Sequence, residues 1–322
     1  MNDAARAFRE GAAVLPRPEL RTLRLVGPDR ERYLNGQISS DLSLLRPGQG
    51  QRAIKPSAKG RVEGLLRVRA YADRYELDLD QAVLERVAGN LERFIIMDDC
   101  QLQVMAADRG VLGVYGPKAT EVLAAIGWGA AEGLENLAFL EKGAWTLIRD
   151  GLYGVDGFEL YGPKDELEDR LTRLVGAGAQ RVTPEDFEIF RVEAGVPKDG
   201  VDVDDEIIPL EAGLAGWLSL EKGCYVGQEV IARATNFGGV KHRLVHLLIA
   251  GDQVPAPRSP LFAPGADKAT GEVRSAVRSA VSGKPLALGY VRIIHEAPGT
   301  VLELRDGSGV REVRVAARGA GG

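Results

Sequence analysis

Apolar residues recur along this chain with two different periods, and the character of the pattern changes once. From Gln81 to Phe94 they fall at Val83, Leu84, Val87, Leu91 and Phe94, the spacing of one helix face. Before that helix, Arg67 to Leu79 alternates as strands around a turn near Ala72-Asp73-Arg74. Gly151 to Leu160 predicts a hairpin turning at Val155-Asp156-Gly157, since Asp-Gly permits the positive φ of a tight turn. Thr183 followed by Pro184 predicts a capped helix start, the helix running to about Ala194. Another helix is expected to begin near Gly227.

After Gly239 the elements shorten. Arg243–Ala250, Gly271–Ser282, Leu286–His295, Thr300–Leu304 and Arg311–Ala316 are β-like runs, broken by proline, glycine or Asp306-Gly307. Such spacing predicts a small β-barrel or sandwich. Strands and helices elsewhere are mixed rather than strictly alternating, which favours α+β. The boundary falls near residue 240: a folded α+β body over 1–240, then a C-terminal β-barrel domain over 241–322.

A weak internal repeat accompanies this pattern. Gly27-Pro28, Gly116-Pro117 and Gly162-Pro163 each follow a short apolar strand and precede a helical pattern. Proline is tolerated at a first helical position because that N–H lacks an intrahelical partner anyway. Leu34 and Leu123 stand at matching offsets after the first two copies, as expected of duplicated βα units.

Composition narrows the class. The chain has 322 residues, 45% hydrophobic and 27% charged, as in an ordinary soluble globular protein. A net charge of −5 argues against direct nucleic-acid binding. No apolar run approaches the roughly 20 residues that span a bilayer. Charges at Asp3, Arg6, Arg9 and Glu10 are unlike a secretory leader, so a cytoplasmic location is expected, with Cys100 and Cys224 as thiols. A monomer is expected.

The sharpest chemical feature is Lys222-Gly223-Cys224-Tyr225-Val226-Gly227-Gln228-Glu229. A thiol ahead of a helix start, two residues after a lysine, sits where positive potential favours the thiolate. Cys224 is the candidate reactive group and Lys222 its candidate activator; the alternative is a small buried hydrophobe. His242, His246 and His295 lack the accompanying ligands of a metal motif.

This octapeptide resembles the signature of the YgfZ-like folate-binding relatives of the glycine-cleavage T-protein, or aminomethyltransferase, superfamily. Further similarity extends from about residue 20 to about 317. Tyr153 to Tyr161, with Gly154, Gly157 and Glu159, is similar to the segment whose glutamate holds the pterin ring. A carboxylate is an acceptor-only match for the parallel N–H donors of a pterin edge. The resemblance therefore implies that Glu159 binds tetrahydrofolate or a one-carbon derivative, with Tyr153, Phe158 and Tyr161 as walls or packing residues. Arg191-Val192-Glu193-Ala194-Gly195 resembles the segment whose arginine lines the same pocket. Gln228 belongs to the signature and is a further candidate contact. The implied fold is a T-protein-like body around a central folate channel, and the shared pocket would bring Arg191 and Cys224 into one site.

One departure bears on activity. The transferases carry an asparagine-rich segment ending in a lysine-aspartate pair; here Tyr75 to Ala82 has neither, and Asp78 and Asp80 are the available carboxylates. The resemblance thus implies a folate-binding accessory protein supporting iron–sulfur client proteins, such as tRNA-modifying enzymes. The alternative is a folate-dependent aminomethyltransferase or demethylase.

Overall fold

The computed structural model describes residues 2–105, 108–235, 239–307 and 309–317. Its body consists of two sheets built on one plan. In the first, β2 (Leu20–Val26), β3 (Gly50–Pro56), β4 (Val62–Ala70), β5 (Arg74–Asp80) and β6 (Gln101–Val104) lie in the order β3-β4-β5-β2-β6. Helices α2 (Arg30–Gln37) and α3 (Leu84–Arg93) cover one face. In the second, β1 (Ala13–Pro16), β7 (Arg109–Tyr115), β8 (Phe139–Lys142), β9 (Trp145–Arg149), β10 (Gly157–Pro163) and β11 (Gln180–Arg181) run β11-β1-β7-β10-β9-β8. Helices α4 (Ala119–Ala125) and α5 (Leu167–Gly176) cover it in the same way.

The Gly-Pro repeat is explained by this plan. Gly27-Pro28 links β2 to α2 and Gly116-Pro117 links β7 to α4, equivalent positions in the two units. Gly162-Pro163 differs: it lies inside β10, and its glycine is required because a Cβ there would sit 2.2 Å from the Trp145 ring. The third copy is a packing contact, not a repeat of the turn.

Strand alternation divides each sheet between two environments. On β4 and β5, Leu66, Val68, Ala70, Tyr75, Leu77 and Leu79 face the helices. The intervening Arg67, Arg69, Glu76 and Asp78 face the other way and are nonetheless buried. On β10, Phe158 and Leu160 join the helix-side core, leaving Glu159 and Tyr161 toward the first sheet. Tyr71, Val111, Phe139, Ile148 and Tyr161 form an apolar cluster between the sheets, beside the charged row.

Two local expectations need correction. The hairpin pairs β9 with β10, and residues 150–156 form its connection, so Gly151 to Tyr153 is not a strand. Gly154 takes the positive φ (77°), whereas Gly157 is in the strand, where a Cβ would meet the Asp150 carbonyl at 2.3 Å. The connection is pulled inward because Tyr153 packs edge-on against Tyr115 and Phe187. Phe94 ends α3 and is exposed rather than completing its apolar face.

Helix α6 (Pro184–Glu193) starts as expected, Thr183 and Asp186 forming a reciprocal capping box. It leads to the C-terminal part, a closed barrel rather than a sandwich. Strands β12 (His242–Ile249), β13 (Pro260–Phe262), β14 (Ala269–Arg278), β15 (Pro285–Arg292), β16 (Val301–Asp306) and β17 (Gly309–Ala316) close in the order β12-β15-β14-β13-β16-β17. The three-residue β13 is too short to register as a sequence pattern. The expected strand to Ser282 stops at Arg278 because Ser279 and Ala280 turn aside to bond the Glu193 carboxylate of α6. No described helix is long and apolar enough to cross a membrane.

Candidate functional site

Where the two sheets separate, a cavity of about 220 Å³ opens between β4, β5, β10, α6 and the segment after α6. Leu15, Leu65, Tyr153 and Phe187 supply apolar wall, and Glu159, Arg67, Asp150 and Asp199 supply polar wall. Arg52 lies with its guanidinium over Trp217, another wall residue, at 5.1 Å from the ring centroid.

Arg67 organises the polar wall. From β4 it reaches Asp78 on β5 (3.0 Å), Asp150 (2.8 Å), Glu159 on β10 (2.5 Å) and the Tyr161 hydroxyl (2.6 Å). Arg69 takes both oxygens of Asp78, at 2.7 and 2.9 Å, and Thr22 donates to the same carboxylate at 2.8 Å. Burial opposes the Asp78 charge, but Arg69 and Arg67 outweigh it and hold the carboxyl below its ordinary value. The second Glu159 oxygen accepts from Arg17 at 3.3 Å and from the Tyr115 hydroxyl at 3.3 Å. Arg17 also stacks over the Phe187 ring, 4.2 Å from its centroid. Glu159 is thus buried, paired with two arginines and fixed in direction before any ligand arrives.

Arg191 also reaches the wall, but all of its donors are engaged. It makes a fork with Glu188 (2.6 and 2.9 Å) and bonds Asp202 (2.7 Å), Ser275 of the barrel (2.7 Å) and the Val196 carbonyl. Burial works against its charge, and Glu188 and Asp202 more than offset that. The arrangement joins α6 to the barrel, and leaves no free N–H for a ligand.

Asp199 differs from these groups. It is buried in the wall, and both its oxygens accept from the Leu65 N–H, at 2.9 and 3.2 Å. Among the described residues it has no ion pair. Burial pushes its carboxyl up to about 7; the Leu65 N–H bond opposes the rise, Asp80 adds to it and Arg86 opposes it. Asp80 itself caps the turn at Gln81, accepting from the Ala82 N–H at 2.8 Å.

The cysteine loop lies elsewhere. Cys224 is exposed and is not a wall residue of the cavity, so Arg191 and Cys224 do not share one pocket. Lys222, expected to activate the thiol, is buried with its ammonium on the carbonyls of Asn35 (2.6 Å), Ile38 (2.7 Å) and Ser40 (2.8 Å). Those carbonyls lie in the last turn of α2 and just beyond it, so the lysine ties the loop to the end of that helix. Burial lowers its pKa to about 8, and Asp41 opposes the fall. The Val226 N–H adds a bond to Gly36 O at 3.0 Å. Gly227 then takes φ 77° at the start of α7 (Gln228–Arg233), where a Cβ would sit 2.3 Å from the Ser57 carbonyl. The Gln228 side chain accepts from the Tyr225 N–H at 3.2 Å, a local cap outside the cavity.

The structure therefore brings Glu159, Tyr153 and Arg191 together at the cavity. Tyr161 stands behind Glu159, donating to it at 3.2 Å, while Phe158 is on the opposite face of β10 in the helix-side core. Sequence reasoning missed Arg17, Arg52, Arg67, Phe187 and Asp199. The alternation of Arg67 and Arg69 with Val68 carried a signal, but an exposed strand face has the same pattern. Among the described residues no three His, Cys, Asp or Glu side chains gather as a metal site.

Comparison with known proteins agrees with this architecture. The profile of the GCVT N-terminal domain matches residues 1–222, and that of the glycine cleavage T-protein C-terminal barrel domain matches residues 242–319. Mitochondrial aminomethyltransferase of Gallus gallus is 30% identical over 301 residues, covering 87% of this chain and 74% of that protein. An aminomethyltransferase of Streptomyces coelicolor is 28% identical over 315 residues, covering 91% and 82%. The crystal structure of glycine cleavage system aminomethyltransferase T from Bartonella henselae superposes with a TM-score of 0.88 at 22% identity, covering 98% of this chain and 87% of that one. With both domain profiles matched in order, and the two-sheet body and closed barrel in place, the chain belongs to the glycine cleavage T-protein family.

Proposed function

We propose that the inter-sheet cavity binds the pterin ring of tetrahydrofolate or a one-carbon derivative, and that the protein acts as a folate-binding accessory to iron–sulfur proteins. The observation that carries the first half is Glu159, a buried carboxylate held in direction by Arg67 and Arg17 beside the Tyr153 and Phe187 rings. The residues fit the group: an acceptor-only carboxylate for the pterin N–H edge, and flat apolar walls for its faces. The cavity's volume suits the ring system rather than a whole folate. When bound, tetrahydrofolate would supply a one-carbon unit or an oxidisable ring.

The second half rests on the cysteine loop. Cys224 is exposed on a segment that Lys222 and Gly227 hold rigidly to the body, a placement suited to reacting with a partner protein. Transferase chemistry has less support at the end of β5, where Asp78 is locked by two arginines and Asp80 caps a turn.

Two assays test this reading. Titration with 5-formyltetrahydrofolate should show binding to the wild type and a loss of about tenfold or more for Glu159→Ala. In a bacterial strain lacking its own YgfZ-like protein, wild type should restore a four-iron-cluster enzyme and Cys224→Ala should not. Equal rescue by both would remove the cysteine from function. The names of the relatives favour a second reading, folate-dependent aminomethyl transfer. Formation of methylene-tetrahydrofolate from an aminomethyl donor, with no rescue of the cluster enzyme, would select it.

A further inference from the structure

Every buried carboxylate of the cavity wall but one has a cation against it. Asp78 has Arg67 and Arg69, Asp150 has Arg52 and Arg67, and Glu159 has Arg17 and Arg67. Glu188, the partly buried acid on α6, has Arg191 and faces Lys198. Among the described residues Asp199 has only the Leu65 N–H, shared between its two oxygens. A carboxylate carried into this wall without a cation is costly, whereas a neutral carboxyl keeps the Leu65 bond on one oxygen and an O–H for something else.

We infer that Asp199 is the cavity's hydrogen-bond donor, a neutral carboxylic acid that gives its O–H to an acceptor atom of the bound ligand's ring. The inference rests on the folate reading for the ligand and adds which residue selects the ring's acceptor edge. Glu159, paired with Arg67 and Arg17, recognises the donor edge, and Asp199 recognises an acceptor; two such groups fit a heterocycle that presents both. No proton leaves the acid in this arrangement, and no bond to the ligand is formed or broken.

The surrounding charges are consistent with an acid that keeps its proton below about pH 7. Asp80, from the end of β5, disfavours the Asp199 anion; Arg86, from α3, favours it; Lys198 is its chain neighbour and Glu188 stands across the wall. Burial outweighs them all.

The test is ligand affinity against pH. If the bound state requires the proton, 5-formyltetrahydrofolate affinity for wild type should be flat below about pH 6. It should then fall about tenfold per pH unit well above pH 7. Asp199→Asn supplies an amide N–H in the same place, so it should bind with a flat profile and exceed wild type at pH 8.5. Asp80→Asn keeps Asp199 and removes its repelling neighbour, so its fall should begin at lower pH. A flat wild-type profile, or the same slope in Asp199→Asn, overturns the proposal.

A readout without ligand separates this from the folate reading. The wild-type-minus-Asp199→Asn infrared difference spectrum at pH 6 should contain a protonated-carboxyl stretching band that is lost by pH 8.5. Absence of the band overturns the neutral acid whatever the ligand. Wild type that shows the band but binds no folate at any pH refutes the folate reading instead, and supports a donor that serves another heterocycle.

Discussion

Asp199→Asn should make the folded protein more stable, by an amount that depends on pH. The Asp199 carboxyl is pushed from its ordinary 3.8 to about 7 because burial penalises its anion. Below pH 3.8 it is protonated in both folded and unfolded chains and contributes no pH dependence. Between 3.8 and 7 the unfolded chain releases the proton while the folded chain keeps it, so stability falls as pH rises. Above about 7 both states are ionised and the loss is complete. At about 1.4 kcal/mol for each pH unit, the full loss is about 4 kcal/mol. Asparagine has no charge to desolvate, and its carbonyl can still accept from the Leu65 N–H. All other titrating groups are common to both proteins and cancel in their difference. Urea denaturation at pH 4.5 and 8 should therefore give a stability gap, variant over wild type, about 3 kcal/mol wider at pH 8. A gap independent of pH, or wider at pH 4.5, would refute the reasoning.

Other substitutions test the frame around the site. Lys222→Met should cost about 3 kcal/mol, since three carbonyls of residues 35–40 lose a charged donor, and protease should nick the cysteine loop first. Gly227→Ala should cost about 3 kcal/mol through a left-handed φ and a contact at 2.3 Å with the Ser57 backbone; calorimetry would show it, and a neutral result would place the helix start elsewhere. Arg191→Lys should lower thermal stability by about 2–3 kcal/mol, because an ammonium cannot serve Glu188, Asp202 and Ser275 together. Folate affinity should change little in that variant, since no Arg191 donor is free for the ligand.

Much of the frame was legible because local chemistry set it. Thr183-Pro184, the β-like apolar run of β12 and the periodicity of α3 each specify an element from its own residues. The hairpin before Glu159 was misplaced because its turn is decided by a distant contact, Tyr153 with Phe187, thirty-odd residues away in the chain. Lys222 was misread for a related reason. Two residues from a cysteine, it looks like an activator, yet the carbonyls that hold it come from the end of α2 and the residues after it, nearly the whole body away in sequence.

The cavity itself was hidden by an ambiguity intrinsic to strands. On β4 and β5 the sequence alternates Arg67, Val68, Arg69 and Glu76, Leu77, Asp78, which is also how a solvated outer face is written. Only the second sheet, packed against that face, converts these residues into a buried ion network. Once they are buried, each charge must be matched, and a strand supplies charges only at every second position. Arg67 solves this by reaching three carboxylates from two sheets. That arrangement has no cation left for Asp199, which sits off the end of the alternating rows on the segment after α6. The unpaired acid is therefore a consequence of where the charged rows stop, whereas Glu159, inside them, has two arginines against it. The polar wall of the cavity carries a committed acceptor and an available donor, and a ligand ring with both edges is what such a pair is built to orient.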